Sequence, residues 1–170
     1  PTKKINEKFF SNWNSQMAYV LGYFVADGCI STSQGRRNPF SFNITSADKE
    51  HLEKIRSSLG SNHKISKKNS GSGNLAFQLQ IRNRTITEDL LKLGITPRKT
   101  YNLNPIDVPD RYFSDFVRGF FDGDGTVYIY FVNKVPQIKM DFISTSRSFI
   151  EYLNKKLCNQ LNIPEKNIHI

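Results

Sequence analysis

The stretches VLGYFVADG at residues 20–28 and VRGFFDGDG at residues 117–125 decide how this chain folds. Each is an apolar, helix-forming run that ends in an acid followed by glycine. The two match position by position, with glycine third, an aromatic pair after it, then a small residue, aspartate and glycine. Asp27 and Asp124 stand 97 positions apart, so the pattern is an internal repeat. A lone Asp-Gly is a common turn signal, but turns alone do not explain a doubled nine-residue pattern.

Small residues recur every four positions on both predicted helices. At 3.6 residues per turn they form one stripe along each helix. Such stripes let two helix backbones approach closely, as in the small-xxx-small pairs of membrane helices. The stripe residues are Ala18, Gly22 and Ala26 on the first helix and Gly119 and Gly123 on the second.

If the stripes pack together, the two helix ends coincide and Asp27 lies beside Asp124. The helix dipole presents its negative end at both acids, and two adjacent carboxylates do not both stay ionised unaided. A hard divalent ion such as Mg²⁺ resolves this conflict and takes oxygen ligands of this kind. Acids that hold metal ions are the usual equipment for phosphodiester hydrolysis.

The bulk composition describes a folded, basic protein. Its 170 residues are 38% hydrophobic, enough to bury a core in one domain or two small ones. Lys and Arg number 24 against 15 acids, and residues 29–84 hold ten of these cations and three acids. A basic face of this kind suits nucleic acid, although charge alone also allows acidic proteins or anionic membranes. No signal peptide or membrane-length apolar run is present in the sequence.

The cysteines and histidines add no site of their own. Cys29 and Cys158 form no CxxC motif, which favours a reducing, intracellular compartment. His51, His63 and His169 lack metal-ligand spacing and are predicted at the surface.

The periodicity predicts an α+β fold whose unit is helix, hairpin, helix, hairpin, helix. Residues 1–105 would hold the first unit with its lead-in and crossover, and residues 106–170 a second, truncated unit. The second copy stops near residue 168, where its third strand is expected. Because the chain also begins at Pro1 without a methionine, the sequence reads as a fragment or an ordered part.

At the two motifs the chain resembles the LAGLIDADG homing endonucleases, in their single-chain form with two motifs. The lead-in FSNW at residues 10–13 and the segment GITPRK at residues 94–99 extend this resemblance over nearly the whole chain. It implies pseudo-symmetric αββαββα units with paired central motif helices and two saddle-shaped antiparallel sheets that straddle DNA. It also implies a monomer that cuts both strands across the minor groove, leaving short 3′ overhangs.

The resemblance also assigns the catalytic centre. Asp27 and Asp124 would bind the metal, with the Ala26 and Gly123 carbonyls nearby. The ion would be Mg²⁺ or Mn²⁺, with Ca²⁺ as a non-cleaving substitute. Lys99, with Arg98 beside it, matches the family's basic catalytic residue, and a phosphate-contacting surface lysine is the alternative. Asp122, which stands where the first motif has Val25, would be accessory or merely solvated.

Alternation along the predicted strands assigns a DNA-facing surface. A two-stranded ribbon fits the major groove, where Gln and Asn pair with adenine and Arg and Lys with guanine. The outward set is Ser31, Ser33, Ser41, Asn43, Thr45, Lys64, Ser66, Lys68, Gln78, Gln80 and Arg82 in copy one, and Tyr128, Tyr130, Lys134, Gln137, Lys139 and Asp141 in copy two. Phosphate contacts are predicted at Arg36, Arg37, Lys67 and Arg84. Because the two half-faces differ, the DNA target would be asymmetric; an ordinary solvated sheet face is the alternative for each residue.

Three other functions use the same scaffold. An intron maturase would bind RNA and could keep both acids. A non-catalytic DNA-binding regulator would be favoured by loss of a motif acid, yet both are present. An endonuclease domain excised from an intein would need splicing residues, and none is visible at either end.

Overall fold

The computed structural model describes residues 2–31, 40–69, 75–97, 99 and 103–169. The helices are α1 (Ser15–Asp27), α2 (Lys49–Ser58), α3 (Arg84–Lys92), α4 (Asp110–Asp124) and α5 (Arg147–Leu161). The strands are β1 (Gly28–Ser31), β2 (Ser41–Ser46), β3 (Ile65–Asn69), β4 (Leu75–Arg82), β5 (Gly125–Val132) and β6 (Val135–Phe142).

The element order confirms the predicted α+β architecture. The first unit runs α1, β1, β2, α2, β3, β4, α3, and the order restarts with α4, β5, β6, α5. β1 to β4 form one antiparallel sheet in the order β1-β2-β4-β3, and β5 pairs with β6 in a second, two-stranded sheet. Each motif helix therefore leads straight into the first strand of its own sheet.

The first motif helix is capped by Asn14 and ends at the glycine of its motif. The Asn14 side chain accepts a hydrogen bond from the Met17 N–H at 2.9 Å, which satisfies one of the open donors of the first turn. At the other end the Gly28 N–H bonds to the Phe24 carbonyl, and the chain turns into β1. Asp27 is thus the last helical residue and stands where a strand begins.

The apolar face of the first sheet packs on the core of the first unit. Phe42 and Ile44 on β2 and Leu79 and Ile81 on β4 are fully buried, as the alternation requires. α2 and α3 pack on this face through their own apolar residues, which are Leu52, Ile55, Ile86 and Leu90.

The second unit packs around phenylalanines on α4. Phe116 and Phe120 contact Phe149 of α5 edge to face, and Phe120 stacks on Phe142 at the end of β6. The outer part of the β5–β6 ribbon is exposed on both faces. Its apolar face, which nothing among the described residues covers, carries Val127, Ile129, Phe131, Ile138 and Met140.

Among the described residues, no helix combines the length and apolar character needed to cross a membrane.

Candidate metal site and nucleic-acid interface

The motif helices α1 and α4 meet backbone to backbone at their glycines. A Cβ on Gly22 would lie 2.0 Å from the Phe116 carbonyl oxygen, and a Cβ on Gly119 would lie 2.0 Å from that of Tyr19. Further along, a Cβ on Gly123 would lie 2.3 Å from the Cβ of Ala26. The predicted stripes therefore form the helix interface, and they bring the two C-terminal ends together.

The two motif aspartates share this junction. A Cβ on Gly123, next to Asp124, would lie only 3.8 Å from Asp27 Oδ2. Burial is the main cause that raises the pKa of Asp27, and the charge of Asp124 raises it further, while the Tyr23 hydroxyl opposes the rise. Burial also raises the pKa of Asp124, against the Lys99 charge. Two partly buried carboxylates in mutual repulsion form a site that attracts a cation.

Lys99 supplies a positive charge beside these acids. This residue is 8% exposed, and its ammonium donates hydrogen bonds to the Val25 carbonyl and, at 2.9 Å, to the Ala26 carbonyl. Burial lowers the pKa of Lys99, while Asp124, Cys29 and Asp27 act to raise it. The charge of Lys99 complements the negative end of the α1 dipole. Since its side chain is buried, Lys99 belongs to the acid site and is not an exposed surface lysine.

The donor set at this junction fits a hard divalent ion. Among the described residues no three His, Cys, Asp or Glu side chains gather to bind metal. The donors would be the carboxylates of Asp27 and Asp124 together with last-turn carbonyls such as those of Ala26 and Gly123, which have no partner within an α-helix. Mg²⁺ takes one or two carboxylates and fills its remaining positions with water and substrate phosphate oxygens.

One flank of the acid pair is a polar network that the sequence reasoning missed. The Tyr19 hydroxyl donates to Asp122 Oδ2 at 2.6 Å and lies 3.4 Å from His51 Nε2. The His51 ring is 4.4 Å from that of Tyr23, and an open pocket beside them reaches Asp27. Asp122, predicted to be accessory or merely solvated, is therefore hydrogen-bonded to a tyrosine.

A signal for this network is present in the sequence. Tyr19 and Tyr23 repeat in copy two as Phe116 and Phe120, so only the first copy carries hydroxyl groups at these positions. His51 was predicted at the surface, but it is half-buried. It lies near Asp27 because α2 begins where β2 ends, next to the start of β1. His63 was also predicted at the surface; it is 6% exposed and bonded to Ser61, so that prediction is wrong. The hydroxyl groups that build this network in copy one therefore have no counterpart at the matched positions of copy two.

Because the pKa values of both acids are raised, the metal-free protein is predicted to become less stable as the pH rises. Between the ordinary Asp pKa, about 4, and the raised folded pKa, the folded protein holds protons that the unfolded chain releases. The free energy of unfolding of the metal-free protein therefore falls as pH rises through this window. We expect Asp27→Asn to unfold at a higher temperature than the unsubstituted protein at pH 7 in EDTA, with no advantage below pH of about 4. Calorimetry across this pH range measures it, with exposed Glu165→Gln as the control. A lower unfolding temperature for Asp27→Asn at pH 7 would contradict the assignment.

The predicted DNA-facing residues of the first sheet mostly lie where the alternation placed them. Gln78 donates to Asn43 Oδ1 at 3.2 Å and to Thr45 Oγ1 at 3.1 Å, so three of these residues form one network on the sheet surface. The side chains of this set that are freely exposed are Ser31, Lys64, Ser66, Lys68, Gln80 and Arg82. The surface combines short hydrogen-bonding groups with longer cations.

Three positions in the first unit differ from the prediction. Ser41 is only 8% exposed, because it lies in a central strand between Ser31 and Arg82. Lys67 lies within β3 opposite Phe77, so it shares the face of Ile65 and not the face of Gln78. Arg84 begins α3, is paired with Glu88 at 2.7 Å and lies over the Phe40 ring, so it is not free at a strand end.

Four of the predicted DNA-facing residues of the second sheet are exposed, and the other two form an ion pair with each other. Tyr128, Tyr130, Lys134 and Gln137 are exposed. Lys139 forms an ion pair with Asp141 at 3.3 Å and lies 5.5 Å from the Tyr128 ring centre. Ser33, Arg36, Arg37 and Arg98 lie outside the described residues.

Ion pairing distinguishes the cations of the first sheet from many helix cations. Lys49, Lys54, Lys92 and Arg147 each pair with an acid three or four residues away on the same helix. Within the part of the chain that the structure describes, Lys64, Lys68 and Arg82 form no ion pair. Their charges remain available to an external anion.

Comparison with known proteins finds the same fold in LAGLIDADG endonucleases. Residues 14–93, just under half of the chain, match the family model of a LAGLIDADG-like domain. The homing endonuclease I-WcaI, solved bound to its DNA recognition sequence, is 14% identical over 94% of this chain and 80% of its own, with a TM-score of 0.57.

Two further structures have the same fold. The LAGLIDADG meganuclease I-AabMI, bound to uncleaved DNA, is 15% identical over 93% of this chain and 76% of its own, with a TM-score of 0.54. The meganuclease I-SmaMI, bound to uncleavable DNA with a TTCT central four, is 15% identical over 88% and 74%, with a TM-score of 0.52. No curated protein sequence matches the chain.

Proposed function

We propose that the chain is a LAGLIDADG homing endonuclease and acts as a site-specific endonuclease of double-stranded DNA, because residues 14–93 match the LAGLIDADG-like domain and the fold is that of I-WcaI and I-AabMI. It would recognise a long asymmetric site and hydrolyse both strands as a monomer. The observation that carries this proposal is the meeting of Asp27 with the Gly123–Asp124 end of α4. The neighbouring first sheet carries Lys64, Lys68 and Arg82, which form no ion pair within the described residues. Residues 1–105 and 106–170 would be the two repeats.

Each residue of the junction has a role that follows from its contacts. Asp27 and Asp124 would hold the divalent ion, and the Ala26 and Gly123 carbonyls could add ligands. The ion would lower the pKa of the attacking water and stabilise the leaving oxygen. Lys99 balances the acids while the site is free, and lies close enough to them to neutralise charge on the scissile phosphate.

The same contacts would make the two strand-cutting sites unequal. Tyr23 and His51 flank Asp27, while the copy-two counterpart of Tyr23 is Phe120, which has no hydroxyl group and packs against Phe149. In the described part of the chain, Lys99 bonds to the Val25 and Ala26 carbonyls of α1 and to no carbonyl of α4. This inequality and the different sheet faces both suit an asymmetric target.

Gln80→Ala is expected to relax base preference at one position of the target. The Gln80 side chain is exposed on the sheet face, two residues from Gln78, and a lost bidentate contact costs on the order of 1–3 kcal/mol of discrimination. Selection of cleavable sites from randomised DNA measures this, with Lys67→Ala, on the other face, as the control. An unchanged preference profile for Gln80→Ala would refute the face assignment.

The experiment that tests the function is a cleavage selection on randomised DNA, with Mg²⁺ or with EDTA. We expect recovery of one asymmetric sequence family, cut on both strands only with Mg²⁺. The endonuclease proposal fails if no duplex is cut and RNA displaces DNA from the protein in a binding competition. The intron-maturase function then replaces it.

A further inference from the structure

The lead-in to α1 holds a fixed position against the α2–β3 connection. The Lys4 N–H donates to Asn62 Oδ1 at 2.7 Å, and the Asn62 N–H donates back to the Lys4 carbonyl at 3.3 Å. Asn62 Nδ2 donates to the Thr2 carbonyl at 3.1 Å, and the Asn6 N–H to the Leu59 carbonyl at 2.9 Å. All of these bonds use the backbone or the Asn62 amide, so none depends on a lysine side chain.

This segment lies beside the end of β4 that β3 leaves open. β3 pairs with β4 only as far as Ile65 opposite Leu79, so Gln80 and Arg82 have no β3 neighbour. A shallow cleft forms there between the lead-in and the strand. It is lined by Lys3, Lys4, Glu7, His63, Gln80 and Arg82, among others.

The charges of this cleft are predominantly positive and unpaired. Lys3, Lys4 and Arg82 are exposed, and within the described residues none of them forms an ion pair. The carboxylate of Glu7 accepts a hydrogen bond from Asn83 Nδ2 at 2.6 Å. Burial and the neighbouring Lys3 charge lower the pKa of His63, so the imidazole adds no charge at neutral pH.

The cleft adjoins the outer end of the predicted DNA-facing surface. Arg82 lies opposite Ser41, which lies opposite Ser31, three residues beyond Gly28 at the acid pair. At about 3.3 Å per residue, the cleft is on the order of 10 Å further out than the acids along the strands. A duplex that crosses the sheet would run past the sheet edge at this point.

We propose that Lys3, Lys4 and Arg82 bind the sugar–phosphate backbone of DNA flanking the outer end of the copy-one half-site. This inference rests on the proposed function, since it needs a duplex on the sheet. Phosphate contacts position a protein on DNA without reading sequence, so the lead-in adds affinity and register while Gln80 beside it reads a base.

The test compares Lys3→Gln/Lys4→Gln with Lys49→Gln/Lys54→Gln. The second pair removes the same charge from α2, where both lysines are ion-paired. Affinity for sonicated duplex DNA is measured against salt concentration. Losing two phosphate contacts lowers the slope of log affinity against log salt by about 1.8 for the lead-in variant, and the α2 variant retains the slope of the unsubstituted protein.

A hydroxyl-radical footprint on a selected cleavage site locates the effect. We expect the lead-in variant to lose protection only at the outer edge of one half-site, with an unchanged unfolding temperature. An unchanged slope and footprint in that variant, on DNA that the unsubstituted protein binds and cuts, would overturn this inference alone. If the unsubstituted protein binds no duplex DNA, both this inference and the proposed function fail.

Discussion

Asp27→Asn and Asp124→Asn are each expected to abolish double-strand cleavage in Mg²⁺ while sparing DNA binding. Each substitution keeps the shape of the side chain but removes the charge that would hold the ion at the helix junction. Metal catalysis supplies several kcal/mol of transition-state stabilisation. Because each 1.4 kcal/mol is tenfold in rate, we expect a loss on the order of 10³-fold or more.

A plasmid that carries a selected site distinguishes binding, nicking and linearisation in this experiment. Asp122→Asn is the matched control, since Asp122 is two residues from Asp124 but bonds to Tyr19. We expect this control to keep most of its activity. The metal-site assignment does not survive if the Asp27→Asn/Asp124→Asn double variant nicks and linearises the plasmid at the normal rate.

Gly22→Ala and Gly119→Ala are each expected to destabilise the folded protein strongly. The added Cβ would lie 2.0 Å from a carbonyl oxygen of the opposite helix in each case. Backbone atoms on both sides prevent a local side-chain adjustment, so the helices must separate. Overpacking of this kind costs typically 1–3 kcal/mol and occasionally more, and we expect about 3 kcal/mol for each variant. Cleavage should fall as well, because separated helices move the acids apart.

Denaturant unfolding measures this effect, and Gly94→Ala is the control. Gly94 has a φ of +93°, and a Cβ added there would meet nothing within 4 Å. Its substitution therefore costs only backbone strain, of roughly 1–2 kcal/mol. Near-normal stability of Gly22→Ala would show that the helices do not pack through this stripe.

The repeated motif predicted the centre of the molecule because its rules are local. A four-residue spacing of small residues defines one side of a helix, and glycine after the acid ends that helix. The strand alternation that assigns Asn43 and Gln80 to the outer face leaves Phe42, Ile44, Leu79 and Ile81 on the opposite face, and these four residues are buried. Where a face follows from a period of two or 3.6, the sequence alone is sufficient.

Features that depend on long-range contacts were not predictable in this way. Lys99 bonds to carbonyls 73 and 74 residues earlier in the chain, so its burial has no local signal. The contact of Tyr19 with Asp122 spans 103 residues. The misplacement of Arg84 is different, because Glu88 stands four residues further on a helix, a spacing that predicts an ion pair.

The most direct test of the central claim is the position of the metal itself. Crystals of the protein bound to a selected DNA site are soaked in Mn²⁺, and anomalous scattering locates the ion. We expect Mn²⁺ at the junction of α1 and α4, about 2.0–2.3 Å from carboxylate oxygens of Asp27 and Asp124 and in contact with a backbone phosphate. Ordered DNA with the ion bound elsewhere, or with the two carboxylates turned away from each other, would contradict it.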